Sequence, residues 1–173
     1  MYDRSVEERL EDTLKLEFDV KMTAAALYDY MLRHTYTSPS GLLGTIAGAL
    51  LVVASLTVEG GTLYFIAGLV ILLYLPWSLF IRSRKQILAN PAFKEALHYC
   101  LDEEGITVSQ KDLTETIPWD TMQKAISTGK SIIVYTSPIN AFIFPRKEMG
   151  DLTIQVIEHI STHMPPKKVN IKY

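Results

Sequence analysis

SPSGLLGTIAGALLVVASLTV, from Ser38 to Val58, and LYFIAGLVILLYLPWSLFI, from Leu63 to Ile81, decide how the rest of this chain must be arranged. Neither stretch contains Asp, Glu, Lys, Arg or His. At a 1.5 Å rise per residue, each spans roughly 30 Å as a helix, the thickness of a bilayer's hydrocarbon core. Only Glu59, Gly60, Gly61 and Thr62 separate them, and glycine at a reversal lets the backbone turn tightly. The pattern predicts an antiparallel transmembrane hairpin over 38–81. A soluble protein would have to wrap two helices that are apolar on every face, and about 130 remaining residues are too few for that.

The flanks predict the orientation. Basic residues near short loops are retained on the cytoplasmic side. Arg33 precedes the first span, and Arg82, Arg84, Lys85 and Lys94 follow the second, whereas the loop holds only Glu59. A multi-pass protein of the cell inner (plasma) membrane with both termini cytoplasmic is expected. Residues 1–12 are charged and net acidic, unlike a signal or transit sequence, so the first span is expected to act as its own insertion signal.

Within the first span, Gly41, Gly44 and Gly48 lie at helical spacing, and Gly44 and Gly48 form a GxxxG pair that admits close helix approach. Two uses follow from this candidate packing face: a seam against the second span, or a homodimer contact. Pro76 removes a helical hydrogen bond and is expected to kink the second span. The absence of ionisable side chains inside the spans argues against an ion or proton pathway.

Outside the hairpin the chain reads as strands. Leu14 to Met22 alternates apolar and polar residues strictly. Thr23 can cap a helix that leads into the membrane, which completes a first cytoplasmic segment over 13–37. After the hairpin, 82–164 carries strands over Ala96–Asp102, Gly105–Gln110, Leu113–Pro118, Met122–Thr128, Ser131–Thr136 and Asn140–Phe144. A last helix then runs from Glu148 or Asp151 to Met164, its stripe of Leu152, Val156, Ile157, Ile160 and Met164 facing the sheet. Residues 165–173 read as a basic, mobile tail.

LDEEGITV (Leu101–Val108), IPW (Ile117–Trp119) followed by Met122 and Lys124, and FIFPRKEM (Phe142–Met149) occur in this order. In these residues, about a third of the chain, it resembles the YcxB-like family of bacterial membrane proteins. The resemblance implies a small antiparallel β-barrel of the pleckstrin-homology type closed by a C-terminal helix, with the hairpin inserted after the first strand. The fold class is thus an α+β membrane protein. No catalytic residue or ligand comes with the resemblance. In the local reading, Ile117 and Trp119 face the barrel core, and Gly105 supplies a left-handed turn beside Glu103 and Glu104.

His159 and His163 stand four apart on the last helix, but the HExxH order is absent, and packing at the barrel rim is the simpler use. No phosphate loop, nucleophile elbow or CxxC occurs, and Cys100 is the only cysteine. No enzyme, cofactor or metal is expected. A net charge of −2, with no basic face carrying interleaved aromatics, gives no footprint for nucleic acid. Arg82, Arg84 and Lys85 are the candidate anionic-lipid contacts, since they follow the second span directly. The function expected is a membrane-anchored cytoplasmic interaction or regulatory module with a protein partner. The alternative is an accessory subunit of a larger membrane complex, such as a transporter, bound through the transmembrane helices.

Overall fold

The computed structural model describes residues 15–172. The acidic segment 1–12 and Leu14 lie outside the described residues. Strand β1 (Leu16–Val20) is followed by three helices: α1 (Ala24–Thr37), α2 (Pro39–Ala54) and α3 (Thr62–Ala89). Six strands then run through β2 (Leu97–Leu101), β3 (Gly105–Gln110), β4 (Leu113–Pro118), β5 (Lys124–Ser127), β6 (Ser131–Tyr135) and β7 (Ala141–Pro145). The chain ends with α4 (Arg146–Met149), α5 (Leu152–His163) and a short strand β8 (Val169–Asn170).

The strands form two four-stranded sheets, in the orders β1-β2-β3-β4 and β7-β6-β5-β8. The expected single closed barrel is not found. Pro118 ends β4 without an N–H to donate, and a helical turn over Trp119–Thr121 carries the chain to the other sheet, so β4 and β5 do not pair. The eighth strand lies in the tail expected to be mobile. There Val169 and Asn170 pair in parallel with Ala125 and Ile126. Lys168 Nζ donates to the Met122 carbonyl at 2.7 Å, and Arg146 Nη2 donates to the Lys172 carbonyl at 2.7 Å. The tail is thus fastened by the Lys168 side chain and by the Lys172 backbone, whose N–H also donates to Ser127 Oγ at 2.7 Å.

The inner faces of both sheets share one core with α5. Phe144 meets Tyr99 edge to face at 5.0 Å between ring centroids and Phe18 at 5.6 Å. Val156, Ile157 and Ile160 of α5 are buried against this cluster, as the apolar stripe requires. Gly150, at φ +55, separates α4 from α5, so of the two expected starts Asp151 is the one found and Glu148 belongs to the short helix before it.

Gly105 is the first residue of β3 and is not left-handed, contrary to expectation; positive φ among the glycines belongs to Gly60 and Gly150. Its role is proximity. A Cβ there would lie 2.2 Å from the Ile117 carbonyl oxygen. Trp119 is buried as expected, but from a helical turn and not from a strand, with its Nε1–H donating to the Asp102 carbonyl at 2.8 Å.

The first apolar segment departs furthest from expectation. Ser38 caps α2, its Oγ accepting from Gly41 N at 3.2 Å, and Pro39 occupies the first turn. The helix ends at Ala54, where Ser55 to Gly61 turn the chain and Gly60 takes φ +75. It therefore measures 16 residues, about 24 Å, and meets α1 at a 77° bend. By contrast α3 has 28 residues and runs unbroken through Pro76. It is the one helix among the described residues long and apolar enough by itself to cross a membrane.

Replacing Gly105 by Ala forces β3 and β4 apart and is expected to cost about 1–3 kcal/mol, as overpacking does. Gly129→Ala, where the new Cβ meets nothing within 4 Å, is expected to change stability by less than about 0.5 kcal/mol. Chemical denaturation of the full chain in detergent, followed by tryptophan fluorescence, measures both.

Candidate functional site

The hairpin is closely packed on one side and open on the others. Gly48 is buried against α3, and a Cβ there would lie 2.9 Å from Leu72 Cγ. Opposite it, a Cβ on Gly68 would lie 2.7 Å from the Gly48 carbonyl oxygen. Gly44 is looser, with Leu75 Cδ1 at 3.9 Å. Gly41 is not on this seam: a Cβ there would strike the Thr35 carbonyl oxygen of α1 at 2.0 Å, so this glycine serves the bend. Gly68 is the partner that the sequence reading missed, because it stands alone in its span without a second small residue at GxxxG spacing.

The remaining surface of α2 and α3 is apolar. Among the described residues, nineteen large hydrophobic side chains between Leu42 and Ile81 are exposed, against four elsewhere: Leu88, Leu113, Ile139 and Ile154. Two grooves shape the α3 side. One, of about 860 Å³, is lined by Tyr28 of α1 and by Leu69, Leu73, Tyr74, Trp77 and Phe80 among others. The second, of about 360 Å³, is bounded by Tyr74, Trp77, Ser78 and Ile81 and ends at Arg82 and Lys85. Tyr74 and Trp77 belong to both. Arg84 lies with its guanidinium 4.4 Å from the Phe80 ring centroid. All three cations are exposed, and none is paired with a carboxylate among the described residues.

Two other constellations carry titratable groups. On α5, the His159 and His163 rings stack at 4.5 Å, and His163 stacks on Trp119 at 5.3 Å. Both imidazoles face carbonyls, which can only accept. His163 Nδ1 donates to the His159 carbonyl at 2.9 Å, and His159 Nε2 lies 3.4 Å from the Asp102 carbonyl. No group of three His, Cys, Asp or Glu among the described residues is placed to hold a metal ion. Burial lowers the His159 pKa from its ordinary value near 6.5, more than the Asp102 carbonyl raises it.

The outer face of the first sheet was not singled out from the sequence. The register places Asp19 opposite His98 and Glu17 opposite Cys100. His98 Nδ1 donates to Asp19 at 2.8 Å, with Glu17 3.9 Å from the other ring nitrogen. Cys100 lies two residues along, on the same face. Burial first, then the charges of Asp102 and Glu17, push its thiol pKa up, the reverse of an activated nucleophile. Alternation marked each strand's polar face, but only the pairing register brings these residues together.

Residues 101–159 match the family model described as YcxB-like protein. The resemblance drawn from LDEEGITV, IPW and FIFPRKEM therefore holds over this stretch, about a third of the chain, from the last residue of β2 into α5. No curated protein and no solved structure matches the chain.

A lowered His159 pKa gives a definite sign. The neutral ring's contribution to stability is fully present above about pH 6.5 and is lost as pH falls towards the folded-state value. The full chain is expected to lose stability between about pH 7 and pH 5, and His159→Phe to lose less over the same interval. Equal pH dependence of the two midpoints in denaturant would remove His159 as the source.

Proposed function

We propose that this chain is a two-span membrane protein whose α+β domain sits on the cytoplasmic face as a non-enzymatic interaction or regulatory module. The observation that carries this reading is the concentration of exposed apolar side chains on α2 and α3, beside a fully formed separate core. Burying one such side chain is worth about 1.5–3 kcal/mol, so a surface on which nineteen stand exposed between Leu42 and Ile81 favours hydrocarbon or an apolar partner strongly over water.

The geometry supports the arrangement in a further way. Because α1 meets α2 at 77°, a hairpin standing upright in the bilayer lays α1 nearly in the membrane plane. Tyr28, Leu32 and Tyr36 recur at helical spacing along α1, and all three are half-buried. Such an aromatic and apolar stripe suits the headgroup boundary. The shortness of α2 is compatible with this, since residues 55–58 continue as turns and a local thinning of the bilayer accommodates a few ångströms of mismatch. Arg33, Arg82, Arg84 and Lys85 then lie together on the side of the β domain, and Glu59 lies on the other.

The partner-binding role remains with the α+β domain, which the hairpin holds at a fixed height and angle. Among the described residues no group of three His, Cys, Asp or Glu is placed to hold a metal ion, and the raised Cys100 pKa gives its thiol no nucleophilic advantage.

Two measurements test the proposal. After alkaline carbonate washing, the full chain is expected to stay with the membrane pellet; its release into the supernatant would contradict insertion. In a Cys100→Ser background, Glu59→Cys is expected to react with a membrane-impermeant maleimide on intact cells, and Lys111→Cys only after permeabilisation. The opposite pattern would invert the topology.

A further inference from the structure

We propose that the Tyr74–Trp77 ridge of α3, together with Arg82, Arg84 and Lys85, binds one anionic diacyl phospholipid, with its phosphate among the three cations and one acyl chain in each flanking groove. The proposal rests on the membrane reading above and names the ligand of that surface.

Three features converge. First, the two grooves are separate and share only the ridge, so a molecule with two apolar arms can straddle it. The larger, floored by Leu69 and Leu73 and walled by Tyr28 of α1, extends from Ile66 to Phe80, about 21 Å along the helix. That exceeds the roughly 15 Å of one leaflet's hydrocarbon. Second, each groove ends in positive charge. Arg82 and Lys85 border the smaller groove directly, and Arg84 lies over Phe80 at the end of the larger one. Third, no carboxylate among the described residues pairs with those charges. From Thr62 to Ala89 the helix contains no Asp or Glu, and the Ser78 hydroxyl is already committed to the Leu75 carbonyl at 2.9 Å. A neutral zwitterionic lipid would bring its own cation against three others, whereas an anionic headgroup meets charge of opposite sign, with each Lys or Arg near the surface worth about a fivefold preference.

Trp77 reports on the site directly, since the only other tryptophan is Trp119. The full chain carrying Trp119→Phe is reconstituted in phosphatidylcholine vesicles. Acyl-brominated phosphatidylglycerol, or acyl-brominated phosphatidylcholine as the control, is then titrated in. Half-maximal quenching of Trp77 is expected at a mole fraction of the phosphatidylglycerol at least about fivefold lower. Arg82→Gln, Arg84→Gln and Lys85→Gln together are expected to bring the two lipids to parity, while Lys167→Gln in the tail leaves the difference in place. Equal quenching by both lipids in the parent, or a preference that survives the triple substitution, would overturn the lipid site while leaving insertion intact. Quenching by neither lipid would place Trp77 outside hydrocarbon and remove the membrane reading with it. Should Trp119→Phe fail to fold, counting the lipids retained by the unaltered chain and by the triple variant in native mass spectrometry reads the same difference.

Discussion

Helix α1 is the contact on which the arrangement depends, because it packs on two bodies whose surfaces suit different surroundings. On one side Tyr28 meets Phe80 of α3 edge to face at 5.7 Å. On the other, Ala26 and Leu27, with Met22 just before the helix, are buried with Ile143 of β7, and Ile87 in the last turn of α3 and Phe93 beyond it close the same cluster. Polar contacts fix the angle. The Tyr30 hydroxyl donates to the Ile139 carbonyl at 2.8 Å, and the Thr128 hydroxyl donates to Asp29. An apolar hairpin on a free tether would leave the β domain to tumble; one clasped through α1 sets its orientation.

This clasp also explains how so large an insertion is tolerated between paired strands. β1 and β2 pair antiparallel over five positions, from Leu16↔Leu101 to Val20↔Leu97, although residues 21–96 intervene. The closure of a loop grows costly only slowly with its length, and here the inserted segment is itself folded. Because α2 and α3 are antiparallel neighbours, the chain leaves and returns on the same side, so the ends of β1 and β2 meet without strain on the sheet.

Much of this was legible in the sequence where a repeating pattern forced it. Alternation placed β1 because one face lies in the core and one in water, and turn signals placed β2 and β3 to within a residue. The gaps arise where tertiary contacts decide. β8 has two residues and therefore no period to read; it forms because Lys168 and Lys172 find acceptors on β5 and its approach. The end of α2 at Ala54 fell inside a continuous apolar run, where composition gives no stop signal. Gly105 looked like a turn residue because glycine after two glutamates commonly is one, and its need for close approach to Ile117 becomes visible only with the register. The site divided in the same way. Arg82, Arg84 and Lys85 were readable from their position after an apolar span, whereas Tyr28 joins them from another helix and Gly68 joins Gly48 across the hairpin.

The same register limits where a protein partner can dock. β4 is an edge of the first sheet, and an open sheet edge can accept an added strand. Yet pairing sets Phe18, Tyr99, Val108 and Glu115 in one row on the core-facing side, so an added strand would have to cover the Glu115 carboxylate. Pro118, at the end of β4, offers no N–H to such a strand. A charged side chain, here exposed, and a proline on an edge strand are among the devices by which sheet edges resist pairing. What remains open is the outer face of the sheet, where the rows Asp19, His98, Ser109, Thr114 and Glu17, Cys100, Thr107, Thr116 run across all four strands. Its hydroxyls are already joined in pairs, Thr107 to Thr116 at 2.8 Å and Ser109 to Thr114 at 3.1 Å. That face is a polar platform, acidic towards β1 and hydroxyl-rich towards β4.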